Sequence, residues 1–194
     1  MGNLLPQSFY ARGPADVARD LLGAEIRGCS ACGPVAGRIV ETEAYLATDP
    51  ACHAYRGKTA RNAAMFGPPG QAYVYRSYGV HWLFNVVAGR DGEGCAVLIR
   101  AVEPTEGLDL MRCRRNRSKP RDLASGPGKL SVAFGIDGEH DGSSLTAGPI
   151  VLAAPPPTPG PITVCRRVGI SKAVQAPLRF YLTGNPHVSR VARV

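Results

Sequence analysis

Apolar and polar positions along the chain repeat with two periods. Over Pro14–Gly23 the apolar residues Val17 and Leu21 fall one turn apart, with proline at the entry and Gly23 at the stop, which predicts a helix. Alternation over Ala24–Arg27 and Gly37–Tyr45 predicts two strands joined by a Cys-Gly-Pro turn at residues 32–34. Leu46–Gly70 is polar and rich in turn formers. It predicts a long ordered loop with short helical pieces, a length that in a compact domain usually signals function. Three apolar segments follow, Gln71–Ser77, His81–Ala88 and Cys95–Val102, the first two joined by a tight turn near Tyr78-Gly79. Leu108 and Met111 share one side of a helix predicted over Pro104–Arg115, and Gly126–Gly135 predicts a shorter one. Asp137–Gly148 is turn-rich, and Pro155–Pro161 reads as a stiff extended connection. Strands return at Ile162–Val168 and Leu178–Leu182. The sum is a single α+β domain over residues 1–194, built on an antiparallel sheet.

Composition narrows the class of partner. The net charge is +8, and apart from Lys58, Lys119, Lys129 and Lys172 every cation is arginine. A small basic domain suits a polyanion, and arginine can grip phosphate through two parallel hydrogen bonds. The run Arg112–Arg121 is strongly basic. No stretch is long and apolar enough to span a membrane, and Met1–Pro6 lacks the basic and apolar regions of a signal peptide, so the cytosol is expected. Cys29 and Cys32 have the spacing of half a zinc site, but no second pair accompanies them, and they read as a hairpin turn. Cys95 and Cys165 lie in apolar strand patterns and read as core fillers, with no disulfides expected.

The chemistry concentrates in two segments. In Arg38–Tyr45, strand alternation puts Ile39, Glu41, Glu43 and Tyr45 on one face. Two acids there are either a solvated edge or a general base beside an aromatic wall. Neighbours on one strand cannot easily flank a sugar, so the paired-carboxylate arrangement of sugar hydrolases fits less well. In Gln71–Asn85, Tyr73 and Tyr75 share a face, and Tyr78 sits at the turn beside Arg76. Strand tyrosines are usually core, but a tyrosine at a hairpin tip has little sheet to pack on and can wedge between base steps.

The ordered set of motifs resembles the alkyladenine (3-methyladenine) DNA glycosylase family. The blocks are Gly37–Tyr45, His53 with Thr59–Asn62 and Met65-Phe66, Tyr73–Tyr75 with Tyr78-Gly79 and Asn85, Leu98–Gly107, Ser125–Pro127 with Lys129-Leu130, Arg167–Gly169, and Pro177–Tyr181. The resemblance implies a single mixed domain around a curved antiparallel sheet with a DNA-inserting β-hairpin, and no metal or other cofactor. It implies excision of alkylated or deaminated purines, namely 3-methyladenine, 7-methylguanine, hypoxanthine and ethenoadenine, from double-stranded DNA. By the same resemblance Glu43 is the general base that activates water and Arg100 helps hold that water. Tyr45, His53 and Tyr75 wall the flipped base, Asn85 screens the purine 2-position, and Tyr78 fills the gap left in the duplex. A monomeric, bacterial, nucleoid-associated enzyme is expected. No amine is placed to form a Schiff base, so no strand cleavage is expected. The rival is a non-catalytic nucleic-acid binding domain that stacks bases on Tyr75 and Tyr78; it leaves Glu41 and Glu43 unexplained.

For Tyr75 and Asn85 to line one pocket, the hairpin register is constrained. A two-residue turn would put Tyr75 opposite Trp82 and turn Asn85 away. A three-residue turn over Tyr78–Val80, or a bulge at Gly79, puts Leu83 opposite Tyr75 and Asn85 opposite Tyr73, and that register is predicted.

Overall fold

In a computed structural model of the protein, which describes residues 3–30, 32–155 and 160–191, one long strand organises the sheet. The strands are β1 (Glu25–Ser30), β2 (Gly33–Tyr45), β3 (Ala72–Ser77), β4 (His81–Ala88), β5 (Cys95–Glu106), β6 (Ile150–Ala153), β7 (Ile162–Cys165) and β8 (Arg179–Leu182). All pairings are antiparallel, in the order β3-β4-β5-β2-β1-β6. One edge of β2 meets β5 along its length; the other meets β1 over its first half and β8 at Glu41–Glu43, with β7 beyond β8. Three breaks in the β2–β5 register, skipping Thr105, Val40 and Arg100, curve the sheet there.

Strict alternation separates two faces. Ala72, Val74, Val86, Ala88, Val97, Ile99, Thr42 and Ala44 point to the side covered by helices, where all but Thr42 belong to the main core. Helices α1 (Gln7–Tyr10), α2 (Pro14–Asp20), α3 (Leu108–Arg115), α4 (Arg121–Ala124) and α5 (Pro127–Phe134) contribute Tyr10, Val17, Ala18, Met111, Leu123, Leu130 and Phe134 to it. Each fully buried aliphatic side chain there stabilises the fold by about 1.5–3 kcal/mol. The Thr42 hydroxyl donates to the Ala18 carbonyl at 2.7 Å and fixes α2 on β2. On the opposite face Tyr73, Val87 and Ala96 form a second cluster with Cys52, Ala54 and Met65 from the long loop.

The loop carries two short 3-10 turns, His53–Arg56 and Ala60–Phe66, as its composition predicted. The hairpin register also holds: Ser77 pairs His81 across Tyr78–Val80, Leu83 opposes Tyr75, and Asn85 opposes Tyr73.

Several boundaries moved. The helix predicted from Pro104 starts at Leu108, because residues 104–106 still pair with β2. Gly107 makes the corner at φ +71°, where a Cβ would meet the Pro34 carbonyl at 2.4 Å. The strand predicted to Val168 stops at Cys165, where the backbone leaves the sheet and turns Val168 toward Glu43. Strands β1 and β2 pair as far as Ser30 and Gly33, and Cys29 and Cys32 are exposed. Cys95 is core, as read, whereas Cys165 is only half-buried. Ile39 does not share the face of Glu41 and Glu43. The bulge at Val40 sends Ile39 and Val40 together into the main core. Helices α1 and α4 and strand β6 were not predicted; each is four residues, too short to show a period. Most of the proline-rich connection lies outside the described residues.

Candidate active site

The second face of the sheet opens on a cavity of about 840 Å³, a size typical of sites that take a small organic group. Strand β2 presents Tyr45, β3 presents Tyr73 and Tyr75, β4 presents Leu83 and Asn85, and β5 presents Leu98 and Arg100. The loop after β7 closes one side with Val168–Lys172, and His53 and Arg61 close the other. Tyr78 stands at the hairpin tip beside the mouth, 97% exposed, with φ +49°. That left-handed backbone costs a non-glycine residue on the order of 1–2 kcal/mol.

Glu43 lies behind the cavity wall with no exposed surface. The three groups in front of it all line the cavity and all donate to it. The Val168 N–H reaches Oε1 at 2.7 Å, the Tyr45 hydroxyl reaches Oε2 at 2.9 Å, and Arg100 Nη1 reaches Oε2 at 3.2 Å. A carboxylate offers about four acceptor directions, so one on Oε1 remains. Burial raises the Glu43 pKa; Arg100, the Val168 amide and the Tyr45 hydroxyl oppose it, and Glu41 adds to it. Glu41 and Glu43 are therefore not a solvated edge.

Arg100 is skipped by the β5 register between Ile99 and Ala101, and the bulge turns its side chain between the two acids. Its Nε donates to Glu41 Oε1 at 2.9 Å while Nη1 meets Glu43. Burial acts to lower the Arg100 pKa, but Glu43 and Glu41 overcome it and the net shift is upward.

The aromatic wall is coherent. The Tyr73 and Tyr75 rings stack at 5.4 Å, and His53 stands edge-on to Tyr75 at 4.5 Å. Burial pushes the Tyr75 phenol up to about 12 and Tyr73 higher. Burial, and then Arg61, lowers the His53 pKa. His53 Nδ1 and the Tyr73 hydroxyl share a hydrogen bond of 2.8 Å. Asn85 is 3% exposed; its Nδ2 donates to the carbonyls of Tyr73 (3.0 Å) and Leu83 (3.3 Å).

The structure thus brings Glu43, Arg100, Tyr45, His53, Tyr75 and Asn85 around one cavity, with Tyr78 at its mouth. Sequence reasoning missed the supporting residues. Arg167 is fully buried, paired with Asp49, donates to the Ala44 carbonyl at 3.0 Å, and lies 4.7 Å from the Tyr45 ring centre. Asn62 ties the His53 loop by donating to the His53 and Gly57 carbonyls and accepting from Thr59. The Thr59-x-x-Asn62 spacing of a capping box was the available signal for it. Lys172 is among the residues that line the cavity.

Comparison with known proteins agrees with this architecture. The methylpurine-DNA glycosylase family model matches residues 8–186. A Methanoculleus marisnigri protein is 54% identical over 190 residues, covering 96% of this chain and 98% of its own. An Agrobacterium fabrum protein is 52% identical, covering 96% and 92%. A Carboxydothermus hydrogenoformans protein is 48% identical, covering 96% and 99%. All three carry, provisionally, the name 3-methyladenine DNA glycosylase.

Proposed function

The chain belongs to the methylpurine-DNA glycosylase family, and from that premise we propose how this DNA glycosylase works and on what. It rotates an alkylated or deaminated purine out of double-stranded DNA into the cavity and hydrolyses the N-glycosidic bond with water activated by Glu43. Its substrates are 3-methyladenine, 7-methylguanine, hypoxanthine and ethenoadenine.

The observation that carries this reading is the buried Glu43 carboxylate, held by three donors that all line the cavity and with one acceptor direction left. A purely binding surface gains nothing from a desolvated acid beneath its aromatic floor. Water reaches Glu43 between the Tyr45 phenol and the Val168 amide. Burial makes Glu43 a stronger base than an ordinary carboxylate, while Arg100 favours its ionised form.

Tyr45, Tyr75 and His53 hold the flipped base. Electron-rich tyrosine faces attract an alkylated, cationic purine by about 0.5–2 kcal/mol per good contact. Tyr78 fills the vacated stack, and unstacking is easiest at damaged pairs. Arg61, Arg76 and Lys172 around the cavity face the phosphates. Lys172 is exposed, whereas an amine that forms a Schiff base must be desolvated or placed beside another cation to lose its proton. The enzyme is therefore monofunctional. It acts as one domain and as a monomer, in the cytosol.

The test is a duplex with one hypoxanthine, incubated with enzyme and then hot alkali. Wild type should yield alkali-dependent cleavage at that position, with no borohydride-trapped adduct. Glu43→Gln should bind the duplex and lose about 10²–10⁴-fold in excision rate. Binding without cleavage by wild type, or a trapped adduct lost in Lys172→Met, would overturn the reading.

A further inference from the structure

We propose that Glu41 is a positioning residue for base excision: it fixes the Arg100 guanidinium against Glu43, and the C-terminal segment at Ser189 in turn fixes Glu41. This rests on Glu43 being the base.

Glu41 has no exposed surface, and an isolated buried carboxylate is costly. Its oxygens accept four hydrogen bonds. Arg100 Nε (2.9 Å), Arg179 Nε (2.8 Å) and Ser189 Oγ (2.9 Å) converge on Oε1, and the Ser189 N–H meets Oε2 at 2.6 Å. Ser189 lies 148 residues along the chain from Glu41. Arg179 is anchored by the Arg190 carbonyl and the Cys165 sulfur and lies 5.1 Å from the Tyr181 ring centre.

Neutralising Glu41 would need only Arg179. The guanidinium of Arg100 is planar, so holding Nε on Glu41 also sets where Nη1 points. With Glu41 in place, Arg100 spends one nitrogen on each acid. Without it, Arg100 is free to turn both toward Glu43 and occupy the acceptor sites that water needs. Charge works the same way. Glu41 and Glu43 balance Arg100 and Arg179. Remove the Glu41 charge, and two cations act on Glu43 alone, which becomes a weaker base. The other titratable or charged groups acting at Glu43 are Tyr45 on β2 and Tyr75 on β3, with Arg167 beyond β7 against the Tyr45 ring and Cys165 on β7 behind Arg179. None of them replaces the Glu41 charge.

Glu41→Gln tests this. Single-turnover hypoxanthine excision should fall by about 10²-fold, the scale of a misplaced reacting group. Affinity for an abasic-analogue duplex should stay near wild type. The acid limb of the rate–pH profile should move to lower pH, which a merely destabilised fold would not do. Ser189→Ala removes one donor near the chain end and keeps the fold within reach if Glu41→Gln does not express. It should slow kcat several-fold with KM unchanged. An unmoved acid limb in Glu41→Gln, or wild-type kcat in Ser189→Ala, would overturn the proposal. Full activity in Glu43→Gln would instead remove the base reading on which it stands.

Discussion

Asp49→Asn should destabilise the protein far more than a loop substitution usually does. Asp49 and Arg167 have side-chain exposures of 6% and 0%, so their ion pair is out of water. Asparagine keeps the shape, and its amide oxygen can still accept from Arg167. It removes the carboxylate paired with Arg167, whose Nε and Nη2 have no hydrogen-bond partner among the described residues. Stranding a buried cation costs about 3–5 kcal/mol. At roughly 2–4 °C per kcal/mol for a chain of this size, the melting temperature should drop by about 6–20 °C. Arg167 immediately precedes Val168, whose amide holds Glu43, so excision should fall at temperatures where the variant is still folded. Differential scanning fluorimetry and single-turnover excision at 25 °C measure the two effects. The double variant Asp49→Leu/Arg167→Met removes both charges and should recover most of the lost stability, because no charge is then stranded. An Asp49→Asn melting temperature within about 1 °C of wild type would refute the argument, since the pair would then be solvated in solution.

Activity should fall on acidification through a limb that lies above the ordinary carboxylate range. Burial raises the Glu43 pKa, and a base is lost when it takes up a proton. A single-turnover profile that stays flat down to about pH 4 would remove Glu43 from this role. Tyr78→Ala leaves stability unchanged, because the ring is 97% exposed, yet should slow excision from paired duplex far more than from single strands. Equal losses on the two substrates would make Tyr78 a general binding contact.

Much of this site is written in local patterns. Alternation in β2 and β3 put Glu43 with Tyr45 and Tyr73 with Tyr75. Such features depend on neighbours in sequence and survive folding unchanged. The bulges at Val40 and Arg100 are different. They lie where β2 pairs with β5 on one edge and nears β8 on the other, and no period in either strand announces them. The same holds for Arg167 with Asp49 and for Ser189 with Glu41, pairs drawn from distant segments by closure of the fold. The family resemblance supplied Arg100 where geometry alone would have left it one more strand arginine.

Asn85 is where register and selectivity meet. It opposes Tyr73 on β3 and Leu98 on β5, so its side chain sits in the cavity floor beside the tyrosine stack. Both hydrogens of its amide are drawn to the Tyr73 and Leu83 carbonyls, which fixes the side chain and identifies Oδ1 as the group left to meet a base. A guanine 2-amino group is a donor and Oδ1 is an acceptor, so polarity alone would favour guanine. Exclusion by Asn85 therefore has to be steric: the amide, clamped by two carbonyls, cannot retreat to hydrogen-bonding distance, and 7-methylguanine, which carries the same amino group, is released despite the clash because its cationic ring leaves easily. Asn85→Ala removes that volume and should raise release of undamaged guanine from a G·T duplex while hypoxanthine, which lacks the amino group, changes less. That is discrimination by a built-in clash rather than by a favourable contact. The opposite result is equally readable. If Asn85→Ala leaves guanine untouched and lowers release of 7-methylguanine, Oδ1 is recognising the amino group, and the residue selects for the 2-position that it was assigned to reject.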